Sequence, residues 1–136
     1  MGTVFASTSI VVFKEFELFT GVTSTYQTFQ RSTIQEVVFP ASITTIGGYT
    51  FFYCSSLKKM TIQANVTAIN GNTFQGSNNL ATTIIYATTP PTLSQQARTW
   101  FRGTIYVPDD SVAAYRSASE WNNIASRIVG ISEYDG

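Results

Sequence analysis

The chain has 136 residues, 43% of them hydrophobic and 12% charged, with eight basic and eight acidic side chains and a net charge of zero. That length suits one domain with its own core, and without clustered Lys and Arg nucleic acid is not expected as a partner. One cysteine, Cys54, and no histidine exclude a disulfide framework, most zinc sites, every Ser-His-Asp triad and every Cys-His dyad.

Polarity comes from hydroxyls instead, with 20 Thr and 14 Ser making up a quarter of the chain. Thr is β-branched and fits a pleated surface, so strands and turns are favoured over helices. No run of apolar residues is long enough for membrane insertion. The N-terminus lacks the pattern of a secretory signal. The chain is therefore expected to be a piece of something longer or a protein that is not exported by that route.

Residues 1–21 read as an N-terminal cap. Phe13, Phe16 and Phe19, each three apart, predict one apolar face of a short helix that closes at Gly21. Residues 22–86 then hold about three repeats of 23 residues. Ile43, Ile46, Phe51, Leu57, Met60 and Ile62 are matched 23 positions on by Val66, Ile69, Phe74, Leu80, Thr83 and Ile85. Val22, Phe29, Ile34, Val37 and Phe39 form a degenerate first copy. A period in the low twenties with fixed apolar positions predicts a leucine-rich-repeat solenoid. Turns are expected at Gly47-Gly48 and Asn70-Gly71.

In the strand from Leu57 to Ile62, Met60 and Ile62 face inward while Lys59 and Thr61 face outward. For the third strand, strict spacing buries Thr83 and Ile85. One inserted residue buries Ile84 and Tyr86 instead, and the larger apolar burial favours this second reading, through a bulge. Residues 87–136 form a helix-bearing C-terminal cap. Pro90 and Pro91 keep their segment out of a central ladder. Thr104 to Val107 is one more strand. Asp109 or Asp110 caps a helix at about 110–118, and Val112, Tyr115, Trp121, Ile124, Ile128, Val129 and Ile131 form a lid over the last rung.

The run Ile43-Thr44-Thr45-Ile46-Gly47 through Phe51, Cys54 and Leu57 to Met60 and Ile62 resembles the BspA-like (Treponema-type) leucine-rich repeats of Bacteroidetes and other host-associated microbes. Ala87 to Pro91, Ile105 to Pro108 and Trp121 are similar to the family's usual ending. The resemblance implies a non-catalytic adhesion module of a cell-surface or secreted protein, part of a longer exported chain, with a protein or glycan ligand. Related repeats in phages imply an alternative, a virion fibre or decoration domain. A structural spacer is a third reading.

No catalytic, metal or cofactor site is read from the residues. Cys54 reads as a buried structural thiol, and Asn65-Val66-Thr67, a glycosylation pattern, as repeat turn. The binding candidates are the outward strand positions Glu36, Val38, Lys59, Thr61 and Gln63. Glu36 and Lys59, 23 apart, are expected to be neighbours on adjacent rungs. Tyr49, Phe52 and Tyr53 are a second, loop-side candidate. Imperfect caps would leave sheet edges open to self-association.

Overall fold

A computed structural model describes residues 24–26, 35–39, 41–47, 53–71 and 74–135. The N-terminal cap and the aromatics Tyr49, Phe51 and Phe52 lie outside them. The 23-residue period becomes two parallel sheets. The first holds β2 (Glu36–Val38), β4 (Lys59–Ile62), β6 (Thr82–Ile85), β8 (Thr104–Val107) and β9 (Ile128–Gly130), in that order. The second holds β1 (Ser24–Tyr26), β3 (Thr45–Gly47), β5 (Ala68–Ile69) and β7 (Thr92–Leu93). From β1 to β8 the chain alternates between the two sheets, and β9 then follows β8 within the first.

This second sheet differs from the expected turns. Ile46 pairs in register with Ile69, and Ile69 with Leu93, so the apolar residues that precede Gly47 and Asn70 are ladder positions. Thr92 and Leu93 likewise join the ladder just beyond the two prolines. The first sheet also runs on, through β8 and β9, into the segment expected as cap.

The inward row of the first sheet is Val37, Met60, Thr83, Ile105 and Ile128, aligned strand to strand. It meets Ile46, Ile69 and Leu93 of the second sheet in one core. Phe74, Leu57 and Leu80 fill the space between, and Cys54 is buried outside any disulfide. Its N–H donates to Ser77 Oγ, 3.1 Å away, the residue 23 positions later.

β6 corrects the bulge expected there. Lys59 to Ile62 pair with Thr82 to Ile85 at a constant offset, so Thr83 is buried and Tyr86 is exposed. A bulge would disrupt a strand bonded on both sides, to β4 and β8. Each ladder bond is worth about 1 kcal/mol, enough to offset the extra apolar burial. The residual cost is the Thr83 hydroxyl, which is buried without a partner among the described residues.

The last rung is closed by α1 (Gln95–Trp100), unforeseen in the sequence, and α2 (Val112–Ser117). Ser94 caps α1 by accepting from the Ala97 N–H. The helix expected at about 110–118 begins as a 3-10 turn at Asp109–Ser111, and no side chain caps it. Asp109 instead accepts from the Ser132 N–H at 3.0 Å, which ties the turn after β9 to the start of the cap.

Aromatic rings run in contact from Phe74 to Phe101, Trp121 and Tyr115, with centroids 4.8, 5.8 and 5.2 Å apart. Two of them carry polar ends that need partners once buried. Trp121 Nε1 donates to the Pro91 carbonyl and the Tyr115 hydroxyl to that of Ala87, both at 2.7 Å.

Thr83→Val is expected to raise the unfolding free energy by about 1 kcal/mol, because it removes an unpaired hydroxyl at nearly constant shape. Trp121→Phe is expected to lower it by about 2 kcal/mol through the orphaned Pro91 carbonyl and lost packing. Urea unfolding of both variants checks the pair of opposite signs. Burial pushes the Tyr115 hydroxyl above its usual 10.0. Its contribution to stability is therefore complete below pH 10 and is lost at higher pH, where the unfolded chain ionises first. Tyr115→Phe is expected to make the fall in stability above pH 10 shallower, read from the same urea curves.

Candidate functional site

The outward face of the first sheet is built by period-2 alternation along strands that share one register. One row is Glu36, Lys59, Thr82 and Thr104. The next is Val38, Thr61, Ile84, Tyr106 and Val129. The first row is polar, the second mostly apolar.

The second row is not open along its whole length. Tyr134 follows the 3-10 turn Ile131–Glu133 and packs edge-on against Tyr106, with centroids 4.9 Å apart. Lys59 Nζ lies 4.9 Å from the centre of the same Tyr134 ring. Tyr134 thus reaches from a side chain of β8 to one of β4, across β6. The outward Ile84 of β6 is only 5% exposed, and Thr61 of β4 only 8%. Thr61, expected on the open face, has the outward parity but is covered.

Glu36, Val38, Lys59 and Gln63 are half-buried. Glu36 and Lys59 are register neighbours, yet the ion pair among the described residues is elsewhere, between Arg98 and Glu120 at 3.1 Å. The Lys59 ammonium is drawn to Tyr134 instead. A hydrogen bond to Tyr134 raises its pKa above the ordinary lysine value, against the opposing effect of burial, and the Glu36 carboxylate raises it further.

On the loop side only Tyr53 of the three candidates falls within the described residues. It is 50% exposed and has a positive φ of 55°. Its N–H donates to the Gln75 carbonyl, and its ring lies against Gly76, where a Cβ would stand 2.4 Å from Tyr53 Cδ1. Gly76 itself has φ +80°, so this close approach and this backbone both require glycine. Tyr53 is therefore a ring laid on the next rung with one face to solvent.

Sequence reasoning missed three aromatic residues on the strand side: Tyr86, Tyr106 and Tyr134. Tyr86 is 43% exposed and directly follows β6. The strict 23-residue offset from Gln63 would have placed it outward. Tyr106 follows from the alternation of β8. Nothing periodic signals Tyr134. Among the described residues no three Cys, Asp or Glu side chains gather to hold a metal ion, and no helix is long and apolar enough to cross a membrane.

Comparison with known families gives one finding. The family model of the BspA type leucine rich repeat region matches residues 5–102, in six copies. No curated protein matches the chain.

Tyr134→Phe keeps the ring and removes the hydroxyl. The Lys59 pKa is expected to fall towards its ordinary value, as read by NMR titration of the ammonium. An unchanged value would mean that the hydroxyl is not what holds Lys59.

Proposed function

This chain belongs to the BspA-type leucine-rich repeat family, and from that premise we propose that it is a non-catalytic binding module of a bacterial cell-surface or secreted protein. It contacts a host protein or glycan through the open part of the strand face. The observation that carries the reading is the shared register of the outward rows. Glu36 and Val38 of β2 pair in register with Lys59 and Thr61 of β4, where strand stacking fixes the spacing at about 4.8 Å. Gln63 and Tyr86 directly follow β4 and β6, which pair in turn.

Such a face suits a broad, shallow contact. Specific interfaces bury roughly 800 Å² per partner and rely on a few aromatic or charged anchors. Tyr86 is an exposed aromatic, and Lys59 is held in place by Tyr134. Both are anchored on paired backbone, so little order must be gained on binding.

Host matrix glycoproteins and intact epithelial cells are the ligands to test, with the protein applied in solution. Lys59→Glu and Tyr86→Ala are each expected to weaken retention by about tenfold, the effect of one anchor. Retention that neither variant changes would move the contact off the strand face. No retention on any host surface would favour the spacer reading.

A further inference from the structure

A second surface, separate from the strand face, is set by one extra residue. The connection from β4 to β5 spans residues 63–67, and that from β6 to β7 spans 86–91. Register is 23 before these connections, with Ile62 against Ile85, and 24 after them, with Ala68 against Thr92. The added residue falls in the Thr88-Thr89-Pro90-Pro91 stretch. Between this loop and the neighbouring turn lies a cleft of about 460 Å³, lined by Asn65, Thr67, Thr88, Thr89, Pro90 and Thr92 among others.

Both walls are held rigidly. Three side chains of the C-terminal cap donate to the longer loop: Tyr115 to the Ala87 carbonyl, Ser111 to that of Thr88 and Trp121 to that of Pro91. On the opposite wall Asn65 Nδ2 donates to the Ala41 carbonyl at 2.8 Å, and Thr67 Oγ1 to that of Thr44 at 3.2 Å. These bonds leave the Asn65 and Thr67 side-chain oxygens as acceptors. The hydroxyls of Thr88, Thr89 and Thr92 add donors on exposed positions.

The lining selects among ligand classes. It holds no charged side chain, so a phosphate or carboxylate finds no counter-charge. It holds no aromatic ring, so a nucleobase has no stacking platform. A peptide strand would need free backbone groups. Here the N–H groups of Val66, Thr67 and Thr92 and the Thr67 carbonyl are already used within the solenoid. What remains is a dense set of hydroxyl and amide groups beside the methyls of threonine and the ring of Pro90. A sugar presents the same alternation of hydroxyls and C–H faces, and the volume falls within the roughly 300–1,000 Å³ usual for small-ligand sites.

We propose that this cleft binds an uncharged saccharide unit. Asn65, Thr88 and Thr89 exchange hydrogen bonds with its hydroxyls, and Pro90 packs on its C–H face. The cleft and the strand face share none of these residues, so either assignment stands or falls alone.

The test is an NMR titration of the ¹⁵N-labelled chain with millimolar cellobiose, chitobiose and maltose. Saturable shifts confined to residues 64–67 and 88–92 are expected with at least one of them. Thr89→Val, which keeps the side-chain shape, is expected to weaken that binding about fivefold, the value of one hydrogen bond. Lys59→Glu is expected to leave it unchanged. Absence of shifts with all three sugars overturns the proposal. So do shifts that centre on Lys59 and Tyr86, or an affinity that neither Thr89→Val nor Thr88→Val alters.

Discussion

Everything in this molecule hangs on rungs that repeat in register. In four of the strand pairings a residue and its counterpart 23 positions on are ladder neighbours. At β1–β3, β6–β8 and β5–β7 the offset is 21, 22 and 24, so side chains lie above the backbone of the preceding rung. The polar side chains use that geometry. Cys54 N–H reaches Ser77 Oγ, Thr67 reaches the Thr44 carbonyl, Ser94 that of Gly71 and Ser111 that of Thr88, all at a separation of 23. Asn65 and Asn79 do the same at 24. Short hydroxyl and amide groups suit this task, because they reach one rung and lose little rotamer entropy. Thr, Ser and Asn side chains thus suit how the rungs are stitched together.

The same constraint decides conflicts between burial and register. At β6 the sequence offers Ile84 and Tyr86 as a more apolar inward pair, yet the ladder keeps Thr83 and Ile85 inside. A one-residue slip would turn every side chain of the strand to the opposite face and break bonds to β4 and β8 together. Local apolar gain loses to two rows of hydrogen bonds. Ile84 is then covered from outside, by Tyr106 beside it and Tyr134 above. The outer face is thus partly a second, smaller core.

The stacked segment from Ile43 to Ile85 was legible because its inward residues recur and its first strand alternates. Met60, Ile62, Leu57, Leu80, Phe74 and Ile69 all stand where the repeat put them. The second sheet was not legible as a sheet, since two- and three-residue strands such as β5 and β3 are too short to show a period of two. The cover over Thr61 was invisible for a different reason. Tyr134 occurs once, near the end of the sequence, and no periodicity ties it to Lys59 or Tyr106. Asp109 read as a helix cap because of its position before α2, whereas its carboxylate is claimed by Ser132, one rung away.

Register also dictates where variation is tolerated. An inserted residue inside β4 or β6 would shift a whole rung, but one placed in the connection that follows β6 leaves the ladder intact on both sides. The chain carries its extra residue there, in a loop stiffened by Pro90 and Pro91 and held by Tyr115, Ser111 and Trp121. The solenoid meets the cap at this point, so the buried aromatics that close the core also fix the wall of a surface cleft. Stability and surface shape are coupled through the same three donors. A change to Trp121 or Tyr115 is then never purely a matter of the core, because it releases the loop carbonyls that give the cleft its form.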